Sequence, residues 1–329
     1  MSEELEMLMR EGRGLTEDEI NSLEKKVQEQ PDELPSKIKL LGYYGPKQFE
    51  STEARKARQK IILWIIQNCP ELVLAGTPEC YLEPSLDMES YFEAKKLWLE
   101  QVETNGNNPI IIGNAADFLL LNNRDIAKDL LEKAKKLEPN NPEWNKRIAR
   151  FYELGRMRLE SANEKQELAK KELAELESAL EKSGGSDRFN LIESLSQASL
   201  QAGELEKARL YANELLNASS QDKSNWNYGN TVHYGNIILG QLALKAKNIE
   251  EAKLYLLKAG ETPGSPQLNS FGPDMTLAKE LLLANEKETV IKYLELCSKF
   301  WESDRTRLDE WVKQIAAGVM PDFGSNLHD

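Results

Sequence analysis

In the stretch NPIIIGNAADFLLLNNRDIAKDLLEKAKKLEPNNPEW, count Asn108 as position 1. Ala115 then stands at 8, Phe118 at 11, Ala127 at 20, Leu131 at 24, Ala134 at 27 and Pro139 at 32. This spacing has a mechanical reading. Small side chains at 8, 20 and 27 let two antiparallel helices touch, large ones at 11 and 24 fill the remaining gap, and proline stops the second helix. The rhythm recurs. Counting from His233 puts Leu239 and Gly240 at 7 and 8, Ala252 at 20, Leu256 at 24 and Ala259 at 27. Looser copies start at Phe189 (Ser196, Ala208), at Phe271 (Leu277, Ala278, Leu294, Cys297) and at Pro142 (Ala149, Tyr152).

The unit from Asn108 to Asn141 resembles tetratricopeptide (TPR) repeats, and the later copies are similar to it in a degenerate way. The resemblance implies an all-α fold, a TPR-like right-handed superhelical solenoid of helical hairpins. Its first helices would line a concave groove for a protein or peptide partner. The segments LGYY, LEPNNPEW, TPGSPQLNSFGPD and PDFGSNL also look like those of uncharacterised bacterial TPR-like proteins, which implies a bacterial source. In the family, positions 2, 5, 9 and 12 of each first helix face the groove. Carried over residue by residue, these are Lys146 and Arg150, then Asn190, Glu193 and Gln197, then Tyr234 and Gln241, then Met275 and Lys279. The chain departs from the family's carboxylate clamp, because the unit from Asn108 places Ile112, Ala116 and Leu119 at three of those positions. The groove expected is therefore apolar at one end and amide-rich at the other, suited to an extended or helical peptide.

The rest of the chain reads as helical too. In segment 1–30, Thr16 and Glu19 form a capping box ahead of a helix running to about Gln30. Segment 31–107 reads as degenerate hairpins: SKIKLLGYY ended by Gly45-Pro46, STEARKARQKIILWIIQN, and an amphipathic helix with Tyr91, Ala94, Trp98 and Val102 on one face. Segment 108–186 adds a long charged helix with a stripe through Leu168, Leu173, Leu176 and Leu180, stopping at Ser183-Gly184-Gly185. Segment 187–329 carries a Pro/Gly-rich loop over 260–274, then a capping helix and tail, with MPDFGSNLHD expected to fold back over WESDRTRLDEWVKQIAAG. No strand pattern stands out.

Composition narrows the functional classes. Formal net charge is -13, from 55 acids against 42 bases, which predicts repulsion from phosphate backbones and hence no nucleic-acid partner. The longest apolar run, Ile61 to Ile66, is far too short for a membrane span, and the acidic start has no leader pattern. A cytoplasmic protein with reduced thiols at Cys69, Cys80 and Cys297 is expected. His233 and His328 are the only imidazoles and the cysteines are scattered, so no metal is expected. Phosphate-loop, dinucleotide and nucleophile-elbow motifs are absent, so the expectation is a non-enzymatic chain without cofactors.

One stretch resists this frame. GNTVHYGN places Asn230, His233 and Asn236 between glycines, and a helix from Ser224 to about Lys247 puts Gly229, His233, Asn236 and Gly240 on one stripe. Three glycines in one helix cost about 1 kcal/mol each relative to alanine, which close helix approach would offset. The following loop AGETPGSPQLNSFGPDM, with Asn269 and Ser270 inside it, is expected to be held extended by Pro263, Pro266 and Pro273. Two readings follow. In one, Asn230, His233 and Asn236 hydrogen-bond the loop backbone, since buried polar groups are generally satisfied. In the other, stripe and loop handle a small molecule with His233 as general base, although no carboxylate stands three or four residues from it.

Overall fold

The computed structural model describes residues 3–221, 225–301 and 304–327, so Ser224, expected as a helix cap, and His328 lie outside the described residues. Within that range the chain is all-α, a run of seventeen α-helices with short 3-10 turns and no strand. No described helix is long and apolar enough to cross a membrane. The chain divides into two compact units, Met1–Trp144 and Asn145–Asp329, and the division falls within a continuous helix.

The first unit holds α1 (Glu3–Arg13), α2 (Glu17–Glu29), α3 (Leu34–Lys47), α4 (Thr52–Asn68), α5 (Pro84–Thr104), α6 (Pro109–Leu119) and α7 (Arg124–Leu137). The capping box before α2 forms in full: Thr16 N–H donates to Glu19 Oε2 at 2.8 Å, and Glu19 N–H donates to Thr16 Oγ1 at 3.4 Å. Gly45-Pro46 does not end α3 as expected. Pro46 sits in its last turn, where only one helical hydrogen bond is lost, and Gln48 Nε2 donates to the Gly45 carbonyl at 2.7 Å. On α5, Tyr91, Ala94 and Trp98 are buried as the spacing predicts, and Val102 is half-buried. In α6 and α7, Ala115, Phe118, Ala127, Leu131 and Ala134 are all buried. Ile112, Ala116 and Leu119, expected as the apolar end of a groove, are fully buried instead. Residues Ile111 to Ala116, Phe118 and Leu119 of α6 are all buried, so its inward positions offer no surface.

The second unit takes up α8 (Pro142–Arg156) at Asn145 and continues through α9 (Ala162–Lys182), α10 (Gly185–Ala202), α11 (Leu205–Gln221), α12 (Tyr228–Lys245) and α13 (Ile249–Gly260). It ends with α14 (Pro266–Phe271), α15 (Thr276–Leu283), α16 (Lys287–Cys297) and α17 (Arg305–Ala316). Two polar clamps join α8 to α9. Asn145 Nδ2 donates to Glu175 Oε2 at 2.6 Å and its Oδ1 accepts from Lys182 Nζ at 2.7 Å, while Arg156 Nε meets Glu172 Oε2 at 3.3 Å. Between the clamps, Ala149, Ala169, Leu173 and Leu176 pack with Leu191, Leu195 and Leu215. The loop after α13 is not simply extended: Ser265 Oγ accepts the Leu268 N–H at 3.0 Å and caps the short helix α14. The tail folds back as expected, with Phe323 edge-on to Trp311 and Trp311 Nε1 donating to the Asp322 carbonyl at 3.2 Å. It also reaches the loop. The Asn326 carbonyl accepts the Met275 N–H at 2.8 Å, and Asn326 Nδ2 donates to the Phe271 and Pro273 carbonyls at 3.0 Å each.

Candidate functional site

Helix α12 carries both candidate groups. His233 is fully buried, and its Nε2 accepts the Asp274 N–H at 3.0 Å. The ring proton therefore sits on Nδ1, which donates to the Ala259 carbonyl at 3.1 Å. The Tyr293 ring stacks alongside, and its hydroxyl donates to the Asp274 carbonyl at 2.8 Å. The imidazole thus ties the end of α13 to the end of the loop, and neither ring nitrogen is left to take a proton from a substrate. Asn230 does the same with side chains: Nδ2 donates to Asn227 Oδ1 (2.6 Å) and Gln267 Oε1 (2.9 Å), and Oδ1 accepts from Ser265 Oγ (2.6 Å).

The remaining predicted positions scatter. Asn236 donates to the Val232 carbonyl of its own helix at 2.7 Å and does not reach the loop, which corrects the expectation from its place in the stripe. Asn269 is exposed, its amide nitrogen facing the carbonyls of Ser265 (3.0 Å) and Phe300 (3.1 Å). Ser270, also exposed, donates to the Pro266 carbonyl at 2.8 Å. The glycines do mark close approach, but of different partners. A Cβ on Gly229 would overlap the carbonyl oxygen of Gly264, while Gly235 and Gly240 make room for Leu216 and Leu277. Thr262 completes the seam by donating to the Gly229 carbonyl at 2.7 Å.

Six of the predicted groove residues come together. Lys146 and Arg150 on α8, Asn190, Glu193 and Gln197 on α10, and Tyr234 on α12 line one cleft of about 480 Å³. Gln241 lies in an adjoining recess with Gln197, Tyr234 and Asp274, and its Nε2 donates to Glu280 Oε1 at 3.4 Å. Lys279 is on neither lining, and Met275 is fully buried under the tail. The loop, by inserting α14 before α15, takes those two positions out of the series. Glu153, Glu172, Ser194 and Gln267 also line the cleft, although the reading of first helices had passed over them. Ser194 is one residue from a predicted position. Glu172 and Gln267 come from α9 and α14, which a rule restricted to first helices does not include.

The carboxylates of the cleft differ in their surroundings. Arg150 Nη1 and Glu153 Oε2 pair at 2.7 Å on the open side. Burial pushes the Glu172 carboxyl up to about 7, with the adjacent Arg156 opposing the shift. Glu193 is also pushed up to about 7, by burial alone. The Tyr234 phenol is raised above its usual range, first by burial and then by Glu193 and Asp274.

No protein-family model matches the sequence, and no curated protein matches it. Among solved structures, the human IFIT1 dimer with PPP-AAAA is similar at 18% identity and a TM-score of 0.49, covering 91% of this chain and 67% of that chain. The expected bacterial source has no counterpart in these comparisons. The expectation of no nucleic-acid partner is withdrawn on a physical ground. Net charge averages over an entire surface, whereas a ligand meets only the charges at its own site. The value of -13 therefore excludes no class of partner.

Proposed function

We propose that the protein is a non-enzymatic helical scaffold that binds a peptide or protein partner in the cleft of its second unit. One observation carries this reading. Alternate helices α8, α10 and α12 each present polar side chains to a single opening of about 480 Å³, a volume in the range of ligand-binding clefts. Amides at Asn190, Gln197 and Gln267 offer a donor and an acceptor each, which suits the main chain of an extended segment. The catalytic reading centred on His233 loses its base, because both ring nitrogens are held by backbone groups. Free thiols at all three cysteines fit a reducing, cytoplasmic setting.

The test is capture of binding partners on the full chain, wild type against Arg150→Glu with Gln197→Ala. Both positions are open to the cleft, so the double variant should melt as wild type does and lose its partner. Undiminished capture would remove the cleft from the account. An oligonucleotide lost in the same variant would keep the cleft and replace the partner.

A further inference from the structure

Along α10, Asn190, Glu193 and Gln197 occur at successive turns and all border the cleft. Two of the three carboxylates in that lining are answered from within the unit: Glu153 by Arg150 at 2.7 Å and Glu172 by Arg156 at 3.3 Å. The Glu193 carboxyl has no cation and no hydrogen-bond donor among the described residues. Glu193 is half-buried beside the cleft, and burial alone raises its pKa to about 7. A partly desolvated carboxylate without a partner is unfavourable, and a cation arriving with a ligand would relieve it.

The chemistry of that cation can be narrowed. A divalent metal takes several oxygen ligands. No group of three or more potential ligands that could hold one occurs among the described residues, and the neighbouring Glu172 is committed to Arg156. Asp274, which borders the adjoining recess with Glu193, already accepts the Thr276 N–H at 2.7 Å. An ammonium or guanidinium group instead needs one carboxylate and further neutral acceptors, and the amide oxygens one turn to either side of Glu193 are such acceptors. We propose that the cleft takes a peptide segment presenting a lysine or arginine, with Glu193 receiving its cation between the amides of Asn190 and Gln197. This rests on the cleft being the partner site.

A displayed peptide library panned on the full chain at pH 8 tests it. The pool retained by the wild type is expected to carry a basic residue at one fixed position. Replacing that lysine with norleucine should weaken binding at least tenfold in the wild type and have little effect in Glu193→Gln, an interaction isolated by the double-mutant cycle. The groups around Glu193 are Lys146, Arg150 and Glu153 on α8, Glu172 on α9, Tyr234 on α12, and Asp274. With Glu193 titrating at about 7, the lysine preference of the wild type should fall about tenfold from pH 8 to pH 6, and the norleucine peptide should show no matching loss. Should Glu193→Gln fail to fold, the norleucine and pH comparisons on the wild type decide. A pool that depends on Arg150 and Gln197 but shows no basic position overturns this inference and leaves the cleft as the partner site. An unchanged lysine preference in Glu193→Gln does the same, as does competition by an oligonucleotide. A library that yields no peptide, or peptides indifferent to Arg150→Glu with Gln197→Ala, overturns both.

Discussion

His233 and Tyr234 are neighbours on α12, yet they belong to polar regions of opposite character. Around His233 each ring nitrogen and each amide atom of Asn230 has a partner, and those partners are backbone groups or side chains of the loop over 260–274. Beside Tyr234 the cleft opens, and the half-buried Glu193 carboxyl stands there without a partner among the described residues. A self-satisfied polar cluster joins pieces of the chain, because an irregular loop cannot pair its own backbone and needs outside donors and acceptors. A polar cluster with an unanswered charge is poised for something that arrives from outside. The same helix therefore carries a structural seam and, on the reading proposed, a binding surface.

The largest expected effect tests the seam. Gly229→Ala places a Cβ on the Gly264 carbonyl oxygen, and backbone on both sides leaves no flexible side chain to give way. A loss of about 4 kcal/mol in the unfolding transition of the second unit is expected from such a clash. A cost near zero would mean that the loop sits further from α12 than described. His233→Leu comes next. It removes a ring but leaves the Asp274 N–H and the Ala259 carbonyl buried and unpaired, a loss of about 3 kcal/mol. His233→Gln, which can supply one donor and one acceptor, should recover part of that. If leucine were tolerated as well as glutamine, hydrogen bonding would not be what closes the seam.

Sequence made one region far more legible than the other. The α6/α7 hairpin could be read position by position, since contact between two regular helices demands only shape and the spacing of alanines records it. The buried Ala115, Ala127 and Ala134 follow that spacing. What failed there was the groove, because the inward positions Ile112, Ala116 and Leu119 are as apolar as the core and pack as core. In α12 the glycines and amides were visible as anomalies, but their partners were not. Hydrogen bonds from Ser265 to Asn230 and from Asn326 to Pro273 span 35 and 53 residues, and no local period encodes them. The crossing of α1 and α3, where Gly12 meets the Lys39 carbonyl and Gly42 the Met9 carbonyl, went unread for the same reason. Of the cleft, α8, α10 and α12 supplied what the repeat spacing could give. Glu172 and Gln267 come from outside that register.

A smaller effect probes the cleft. Folding raises the Glu193 carboxyl from its ordinary value of 4.5 to about 7, so between those values the folded chain binds a proton more tightly than the unfolded one. Stability contributed by that proton is present at low pH and is lost as pH rises through the window. Glu193→Gln has no such loss. It should match the wild type near pH 4 and exceed it by about 1–2 kcal/mol at pH 8, allowing for the carboxyl's partial access to water. Thermal melts of both proteins at the two pH values measure the difference. Glu172→Gln is the contrast: its carboxyl is raised as well, but it is the partner of the buried Arg156, so the loss of that pairing should offset the gain at pH 8 and leave it smaller than at Glu193. An equal gain from both substitutions would mean that Glu172 is as unanswered as Glu193.

The smallest effect separates residues that the sequence had grouped together. Asn236 is buried and shares the stripe of Asn230 and His233, but the one hydrogen bond of its side chain among the described residues is to the carbonyl of Val232 one turn back. That carbonyl also has a helical N–H partner, so truncation leaves no group stranded, and alanine improves helix propensity by about 0.5 kcal/mol. Asn236→Ala should therefore lie within about 0.5 kcal/mol of wild type. Asn230→Ala strands Ser265 and Gln267 and should cost about 2 kcal/mol. Equal costs at the two positions would mean that the stripe closes the loop as a whole. Unequal costs in the order given would locate the closure at the turn of α12 nearest Gly264, where backbone meets backbone and the amide of Asn230 spans the gap.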